Sequence, residues 1–227
     1  SLAASWQVSW VVGGTPRAAN STEPDFTVMT IYNIQPTTDA SGVSPHLDEQ
    51  VQTTGIVTGV DRLGFNSAFV IQDGSGSWNG IYCWWGADAD VMVGDEVTVR
   101  GTVAEYTAGG GDETKSMTQL VAGNIVSVNS TGNTLPAAVE LDIEDVGAEE
   151  YEGVLVTTSG RVVAAVNDDS YGEWRISNNL DASDTDADTI NVNDRFAVTD
   201  PAFGTIATVT GPLNQWSGST NSGPSWR

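Results

Sequence analysis

The chain of 227 residues carries 30 acidic residues against eight basic ones, which gives a formal net charge of −22 at pH 7. Nucleic acids and anionic membrane surfaces are bound through clusters of Lys and Arg, and Lys115 is the only lysine. We therefore expect no tight binding to nucleic acid or to anionic membrane surfaces, and the sequence has no run of about 20 apolar residues, which predicts no membrane insertion. One cysteine, Cys83, excludes an intrachain disulfide, and one histidine, His46, leaves few groups for acid–base or nucleophilic catalysis. The chain is predicted not to be an enzyme.

The first twelve residues, "SLAASWQVSWVV", alternate between apolar and mostly polar positions. An alternation of period two predicts a β-strand with one apolar face. Gly13, Gly14 and Pro16 follow at once, and no hairpin partner comes next. Residues 1–27 are therefore predicted to be an N-terminal extension strand and linker. The anchoring residues of its apolar face are Leu2, Trp6, Val8, Trp10 and Val12.

Residues 28–135 hold the strands of a first predicted barrel. A short β-like segment, "FTVMTIYNIQ", comes at its start. Strand-like runs then follow in quick succession, separated by turn signals such as Asp73-Gly74 and "AGGGD". Strands of this length that are interrupted by glycine favour a small, strongly bent barrel. The runs span residues 50–61, 67–73, 79–85, 95–106 and 119–129.

Residues 136–227 repeat this order approximately and predict a second barrel. Its strand-like runs span residues 151–166, 173–179, 188–193 and 203–216. Where a fifth strand should follow, "SGSTNSGPSWR" offers at most the beginning of one, "SWR". An unfinished barrel exposes unpaired backbone groups and an apolar slot.

The chain thus has a spare strand at one end and an incomplete barrel at the other. If the N-terminal strand of one subunit fills the slot of the next, the association is head-to-tail and builds a filament, unless it closes into a ring. Three alternatives stay open at this point. The strand folds back within its own molecule, it is the last strand of a preceding domain, or the strand count reflects only where the sequence stops.

Several stretches resemble a known family. "DEQVQTTGIVTGVDRLGFNSAFVIQDGSG" (48–76), "VGDEVTVRGTVAEY" (93–106) and "TQLVAGNIVSV" (118–128) resemble the OB-fold domains of secreted bacterial nucleases, where they precede a catalytic domain of the endonuclease/exonuclease/phosphatase type. "YEGVLVTTSGRV" (151–162) resembles the start of a second OB-like unit in those proteins. "WQVSWVVGGTPRAANS" (6–21) is similar to the closing strand of a lamin-tail domain. The resemblance carries over no nuclease site residues.

The resemblance implies an extracellular or cell-surface accessory module. We predict an all-β fold, with two OB-like Greek-key barrels in tandem and an N-terminal extension strand. The predicted function is a non-enzymatic structural subunit that assembles with copies of itself by donating this strand. The alternative is an accessory module of a secreted nuclease that binds nucleic acid or a glycan.

Three tryptophans, Trp78, Trp84 and Trp85, lie within the stretch "GSWNGIYCWWG". Such a group is a candidate platform on which sugar rings or unstacked bases stack, a use that OB barrels make of aromatic side chains. Adjacent strand residues point to opposite faces, so Trp84 and Trp85 cannot both lie in the core. Packing against the companion barrel or a neighbouring subunit is the alternative interpretation.

Two acidic clusters and two sequons complete the candidate sites. "LDASDTDADTINVND" brings alternating carboxylates together as a candidate calcium site, although Thr189 and Arg195 stand where an EF-hand has its glycine and glutamate. The alternative is a solvated loop, and no cofactor is required. The carboxylates are Asp181, Asp184, Asp186 and Asp188. A second cluster, Asp142, Glu144, Asp145, Glu149, Glu150 and Glu152, is interpreted as a solvated face.

Asn20 and Asn129 are candidate glycosylation sites.

Overall fold

The fold is built almost entirely of β-strands. The computed structural model describes residues 25–61, 68–84, 89–107, 116–163, 173–178, 189–193, 201–216 and 225–226. Within them the strands form a six-stranded sheet, a five-stranded sheet and a short two-stranded pair. The all-β fold class predicted from the sequence is confirmed.

The first sheet closes into an OB-like barrel of five strands. Its order is β2-β3-β4-β6-β5, and β5 pairs again with β2, which closes the ring. All neighbours are antiparallel except β4 and β6, which are parallel. This is the Greek-key connectivity of an OB barrel. The strands are β2 (Gln50–Asp61), β3 (Ala68–Gln72), β4 (Gly80–Trp84), β5 (Glu96–Tyr106) and β6 (Met117–Ser130), with β1 (Thr27–Val28) parallel to β2.

The barrel core follows from the alternation of apolar residues along its strands. On β5, Val97, Val99 and Val103 have no solvent exposure, while Thr98, Arg100 and Thr102 between them are partly exposed. The facing strands contribute Val51, Val57, Phe69, Ile71, Ile81, Cys83 and Leu120. Burial raises the pKa of the Cys83 thiol, because a thiolate would be desolvated there.

The segment predicted to be β-like, residues 26–35, is mostly not a strand. Only Thr27–Val28 pairs with β2, and one helical turn, α1 (Ile31–Ile34), follows. The side chain of Thr30 accepts a hydrogen bond from the N–H of Asn33, and Asp73 Oδ2 accepts one from the N–H of Ile31 at 2.6 Å. Ile31 and Ile34 are three residues apart, so one face of the turn buries both against the barrel. Packing against the barrel therefore favours a helical turn at residues 31–34, although their composition is strand-like.

The second sheet has the same beginning but does not close within the part of the chain that the structure describes. Its order is β10-β9-β8-β11, with β7 beside β8, and β11 pairs antiparallel with β8 just as β5 pairs with β2. Two 3-10 turns precede β8, at Ile143–Asp145 and Glu149–Tyr151. The strands are β7 (Val139–Glu140), β8 (Leu155–Val162), β9 (Glu173–Ser177), β10 (Thr189–Asn193) and β11 (Ile206–Pro212).

The chain itself places a two-residue strand, β13 (Ser225–Trp226), beside β10, where a fifth strand of this sheet would lie. After β11, β12 (Gln215–Trp216) pairs antiparallel with β13. The core of the second sheet contains Ile143, Val146, Val154, Val156, Val162, Trp174, Ile176, Ile190 and Leu213. The segment between the two barrels thus supplies part of this core through Ile143 and Val146.

Candidate functional site

The outer face of β3 and β4 corresponds to the surface with which OB barrels bind oligonucleotides and oligosaccharides. In this chain the second barrel covers one end of it. The N–H of Leu155 donates to Oε1 of Gln72, with 2.7 Å between the two atoms. Gly80 and Gly153 approach so closely that a Cβ on either residue would overlap the backbone of the other. We call this contact of residues 72–80 with residues 150–155 the inter-barrel joint.

The predicted tryptophan platform is divided between the two ends of β4. Trp78 lies in the turn before β4, and its N–H donates to the carbonyl oxygen of Glu150 at 2.7 Å, within the inter-barrel joint. Trp84 is the last residue of β4, and 39% of its surface is exposed. The structure therefore does not place Trp78 beside Trp84. Trp85 lies outside the described residues.

A cluster of buried polar groups lies beside the inter-barrel joint. Glu152 is 3% exposed, and its Oε1 accepts a hydrogen bond from the N–H of Thr118 at 2.8 Å. The hydroxyl of Thr118 donates to Oε1 of Glu105 at 2.9 Å, and the N–H of Ser44 donates to the same oxygen at 2.9 Å. Gln35 Nε2 donates to the carbonyl oxygen of Gly80 at 2.6 Å. Polar groups of both barrels thus meet away from solvent.

The burial of Glu152 corrects the interpretation of the second acidic cluster as a solvated face for this one residue, whereas Asp142, Glu144 and Asp145 of the cluster are exposed. Desolvation raises the pKa of Glu152 well above its usual range, and the charges of Glu149 and Glu105 raise it further. Hydrogen bonds from Thr118 and Gln35 oppose this shift. The sequence contains one signal of burial, because Glu152 and Gly153 directly precede the apolar run "VLV" (154–156), with which β8 begins at Leu155.

Other residues of the joint were also missed by sequence analysis. Gln72 lies in the strand "AFVIQ", every residue of which is buried. A glutamine at the end of such a strand needs a hydrogen-bond partner, and Gln72 finds it in Leu155, 83 residues away. Composition alone cannot show that partner.

The open side of the second sheet lies between β10 and β11, where the described residues place only the two-residue strand β13, beside β10. Among the described residues, β11 pairs with β8 on one side only, and the other side of β10 has no ladder partner. The inward-facing Ala207 and Val209 of β11 are only partly buried, and so is Val192 of β10. Their counterparts on β5, Val97 and Val99, have no exposure. The core of the second sheet is therefore less covered along this side.

A buried indole next to this side lacks a hydrogen-bond acceptor. Trp174 on β9 is 2% exposed and lies opposite Val192 of β10. Its Nε1 has no partner among the described residues. A buried donor without an acceptor costs about 1–3 kcal/mol, so an acceptor near this atom would stabilise the fold.

Most of the other predicted site residues lie outside the described residues. These are Leu2, Trp6, Val8, Trp10, Val12, Asn20, Asp181, Asp184, Asp186 and Asp188. Asn129 is exposed near the end of β6, where its Nδ2 donates to the hydroxyl of Thr98 at 3.0 Å and its Oδ1 accepts from Ser127 at 2.6 Å. The amide of this sequon therefore belongs to a polar ladder on the strand surface.

The described residues contain no group of three or more His, Cys, Asp or Glu side chains arranged to hold a metal ion. None of their helices is long and apolar enough to cross a membrane.

Comparisons with known proteins return structures but no sequence family. No family model matches the chain, and no curated protein matches it. A chain of a replication protein A heterotrimer bound to single-stranded DNA is 21% identical, with a TM-score of 0.31, over 46% of this chain and 83% of the other. A protein described as an aspartyl-tRNA synthetase from Leishmania major Friedlin is 14% identical, with a TM-score of 0.29, over 59% of this chain and 26% of the other.

Proposed function

We propose that the chain is a non-catalytic assembly module whose second barrel accepts a β-strand between β10 and β11. The accepted strand is the N-terminal run of another copy, residues 1–12, so that the subunits join head-to-tail. The observation that carries this proposal is the half-covered inner face of β11, whose free edge has no ladder partner among the described residues. The short strand β13 lies on the other side of the gap, beside β10. Strand addition supplies main-chain hydrogen bonds along such an edge and side chains for the slot.

The N-terminal run, residues 1–12, is suited in length and in apolar side chains to the gap between β10 and β11. In the first barrel the equivalent position is filled by β6, which has 14 residues, and the N-terminal run has 12. Its Trp6, Val8 and Trp10 would face Ala207 and Val209. Burial of two tryptophans and several aliphatic side chains stabilises by at most about 15 kcal/mol before ordering costs, at about 25 cal/mol per Å².

The net charge of −22 sets a condition on this association. Copies of the same acidic protein repel one another at low ionic strength, and added salt screens the repulsion. Assembly should therefore strengthen as salt is added. Association of an acidic protein through basic patches on a partner would show the opposite dependence.

The experiment compares the full chain with a chain that lacks residues 1–14, by sedimentation velocity over a range of concentrations. We expect oligomers that grow with concentration for the full chain and a monomer for the truncated one. A synthetic peptide of residues 1–14, added in trans, should stabilise the truncated chain by about 2.7 kcal/mol at about 100 times its Kd. A peptide carrying Trp6→Ser and Trp10→Ser is the control.

Two variants of β11 locate the acceptor. Val209→Glu places a charge on the inner face, whereas Thr208→Glu places it on the exposed outer face of the same strand. Val209→Glu should abolish the peptide's effect, and Thr208→Glu should leave it. Identical sedimentation of the full and truncated chains, or a monomer in which residues 1–12 complete their own barrel, would contradict the proposal.

A second candidate function is favoured by the exposure of Trp84 on the outer face of β4. In this function the chain would be an extracellular accessory module, as the resemblance to nuclease accessory domains suggests, and the ring of Trp84 would stack on the sugar rings of a glycan. Mobility in gels that contain a soluble polysaccharide tests this idea. Trp84→Ala should abolish retardation, whereas Phe203→Ala, which removes an aromatic ring that is 63% exposed on the second barrel, should not.

A further inference from the structure

Three carboxyl groups, those of Glu152, Glu149 and Glu105, lie close together beside the inter-barrel joint. Thr118 connects two of them, since its N–H donates to Glu152 and its hydroxyl donates to Glu105. The carboxylate of Glu149 lies against Gly42, where any side chain would collide with it. The other Glu105 oxygen, Oε2, is buried and has no partner among the described residues. Glu152 and Glu105 accept hydrogen bonds from the same residue, Thr118, and are therefore close to each other. If both were charged, they would repel each other strongly in this low-dielectric environment.

We propose that a single proton held by Glu152 keeps the two barrels together, and that loss of this proton at higher pH opens the inter-barrel joint. Glu152 comes from the second barrel, whereas Thr118, Glu105 and Gln35 come from the first or from the turn that follows α1. Its protonation state therefore acts on a contact between the two barrels and not on the core of either one.

The groups that face Glu152 support a neutral carboxyl. Glu149, from the 3-10 turn before it, and Glu105, from β5, are the charges that disfavour its ionisation. Thr118 on β6 and Gln35 after α1 are uncharged. The pKa of Glu152 is raised, first by burial and then by these two carboxylates.

The direction of the pH effect follows from linkage. In the closed joint Glu152 keeps its proton above the usual pKa of 4.5, whereas in the open joint solvent lets it ionise near that value. The closed state is therefore most stable at and below the usual pKa. It loses stability as the pH rises from the usual pKa of Glu152 to its raised pKa. Over this range the equilibrium constant for opening increases about tenfold for each pH unit.

The test follows hydrogen exchange at the amides of Thr118 and Leu155, both of which donate across the joint. After correction for the intrinsic rate, we expect their opening constants in the full chain to rise at least about tenfold between pH 5 and pH 8. Glu152→Gln, which mimics the protonated acid, should make both amides independent of pH. Glu140→Gln removes an exposed carboxylate on β7 and is the matched control.

Infrared spectroscopy gives a second measurement that does not depend on a variant. The wild-type chain should show the C=O stretch of a protonated carboxyl at neutral pH, and this band should disappear over the same pH range in which the two amides open. Absence of the band while the amides are protected would overturn the proposal. So would an unchanged pH dependence in a folded Glu152→Gln variant. Neither result bears on strand acceptance by β11, which is tested by deleting residues 1–14.

Discussion

The fourth strands of the two barrels, β5 and β11, have the same position but different surroundings. Each pairs antiparallel with the first strand of its barrel, β5 with β2 and β11 with β8. On its other edge β5 pairs with β6 over its whole length, whereas β11 has no ladder partner there among the described residues. The valines of β5 are fully buried and Val209 of β11 is not.

The outer faces of the two strands are nevertheless alike. Thr54 faces Thr98 across β2 and β5 with their hydroxyl oxygens 2.9 Å apart, and Thr157 faces Thr210 across β8 and β11 at 2.7 Å. The two strands therefore share these threonine pairs on their outer faces and differ in the burial of the inner face and in the pairing of the free edge. A strand that added at this edge would make the second barrel resemble the first, and this is the physical content of the proposed assembly.

The largest expected effect comes from separating the two barrels with Gly80→Ala. The new Cβ would collide with the carbonyl group of Gly153, which is itself held at a positive φ of 70°. Because the colliding atoms are backbone, the joint must open, at a cost of about 3 kcal/mol. The second barrel, with its open side, should then unfold at lower urea than the first, so that circular dichroism and tryptophan fluorescence no longer give one transition.

Gly211→Ala is the control for this variant, since no described atom beyond its two neighbours in the chain lies within 4 Å of the position of its Cβ. It should stay within about 1 kcal/mol of the wild type and keep a single transition. If Gly80→Ala behaved in the same way, the close glycine contact would not hold the barrels together.

A smaller effect measures how well each inner face is covered. In a chain that lacks residues 1–14, Val99→Ala removes two methyl groups from a side chain with no exposure and should cost about 2 kcal/mol. Val209→Ala removes the same groups from a partly exposed side chain and should cost less than about 1 kcal/mol. Urea unfolding gives both free energies. Equal costs would show that the inner face of β11 is already covered.

Adding the peptide of residues 1–14 sharpens this comparison. If the peptide covers Val209, the cost of Val209→Ala rises toward that of Val99→Ala, whereas the cost of Val99→Ala stays the same. A peptide that stabilised both variants equally would bind elsewhere.

The sequence predicts the regular strands well because their signal is local. β2 was predicted at residues 50–61 and is found at Gln50–Asp61, and β5 was predicted at 95–106 and is found at Glu96–Tyr106. Alternating valines and threonines determine both strands without help from the rest of the chain. The turn α1 was missed, because Thr30 and Asp73 stabilise it through hydrogen bonds and only one of these partners is close in sequence.

The inter-barrel joint could not be predicted because each of its contacts joins residues far apart in the chain. Glu152 and Thr118 are separated by 34 residues, and Leu155 and Gln72 by 83. An acidic residue in an acidic segment is normally solvated, and only its partners show that it is buried. The predicted donor strand with Trp6 and Trp10 lies outside the described residues, so its place stays a prediction.

The smallest effect tests the likeness of the two outer faces. Thr98→Val and Thr210→Val keep the β-branched shape and remove one hydroxyl from each ladder, so each should cost about 0.5 kcal/mol. Thr98 also accepts a hydrogen bond from Asn129 of β6, whereas among the described residues β11 has no such third strand beside it. The replacement of Thr98 should therefore cost slightly more. Measured in the chain without residues 1–14, a loss at Thr210 as large as that at Val99 would show that the outer face of β11 is covered. The outer faces of β5 and β11 would then differ, and the open side between β10 and β11 would not explain the whole difference between the two strands.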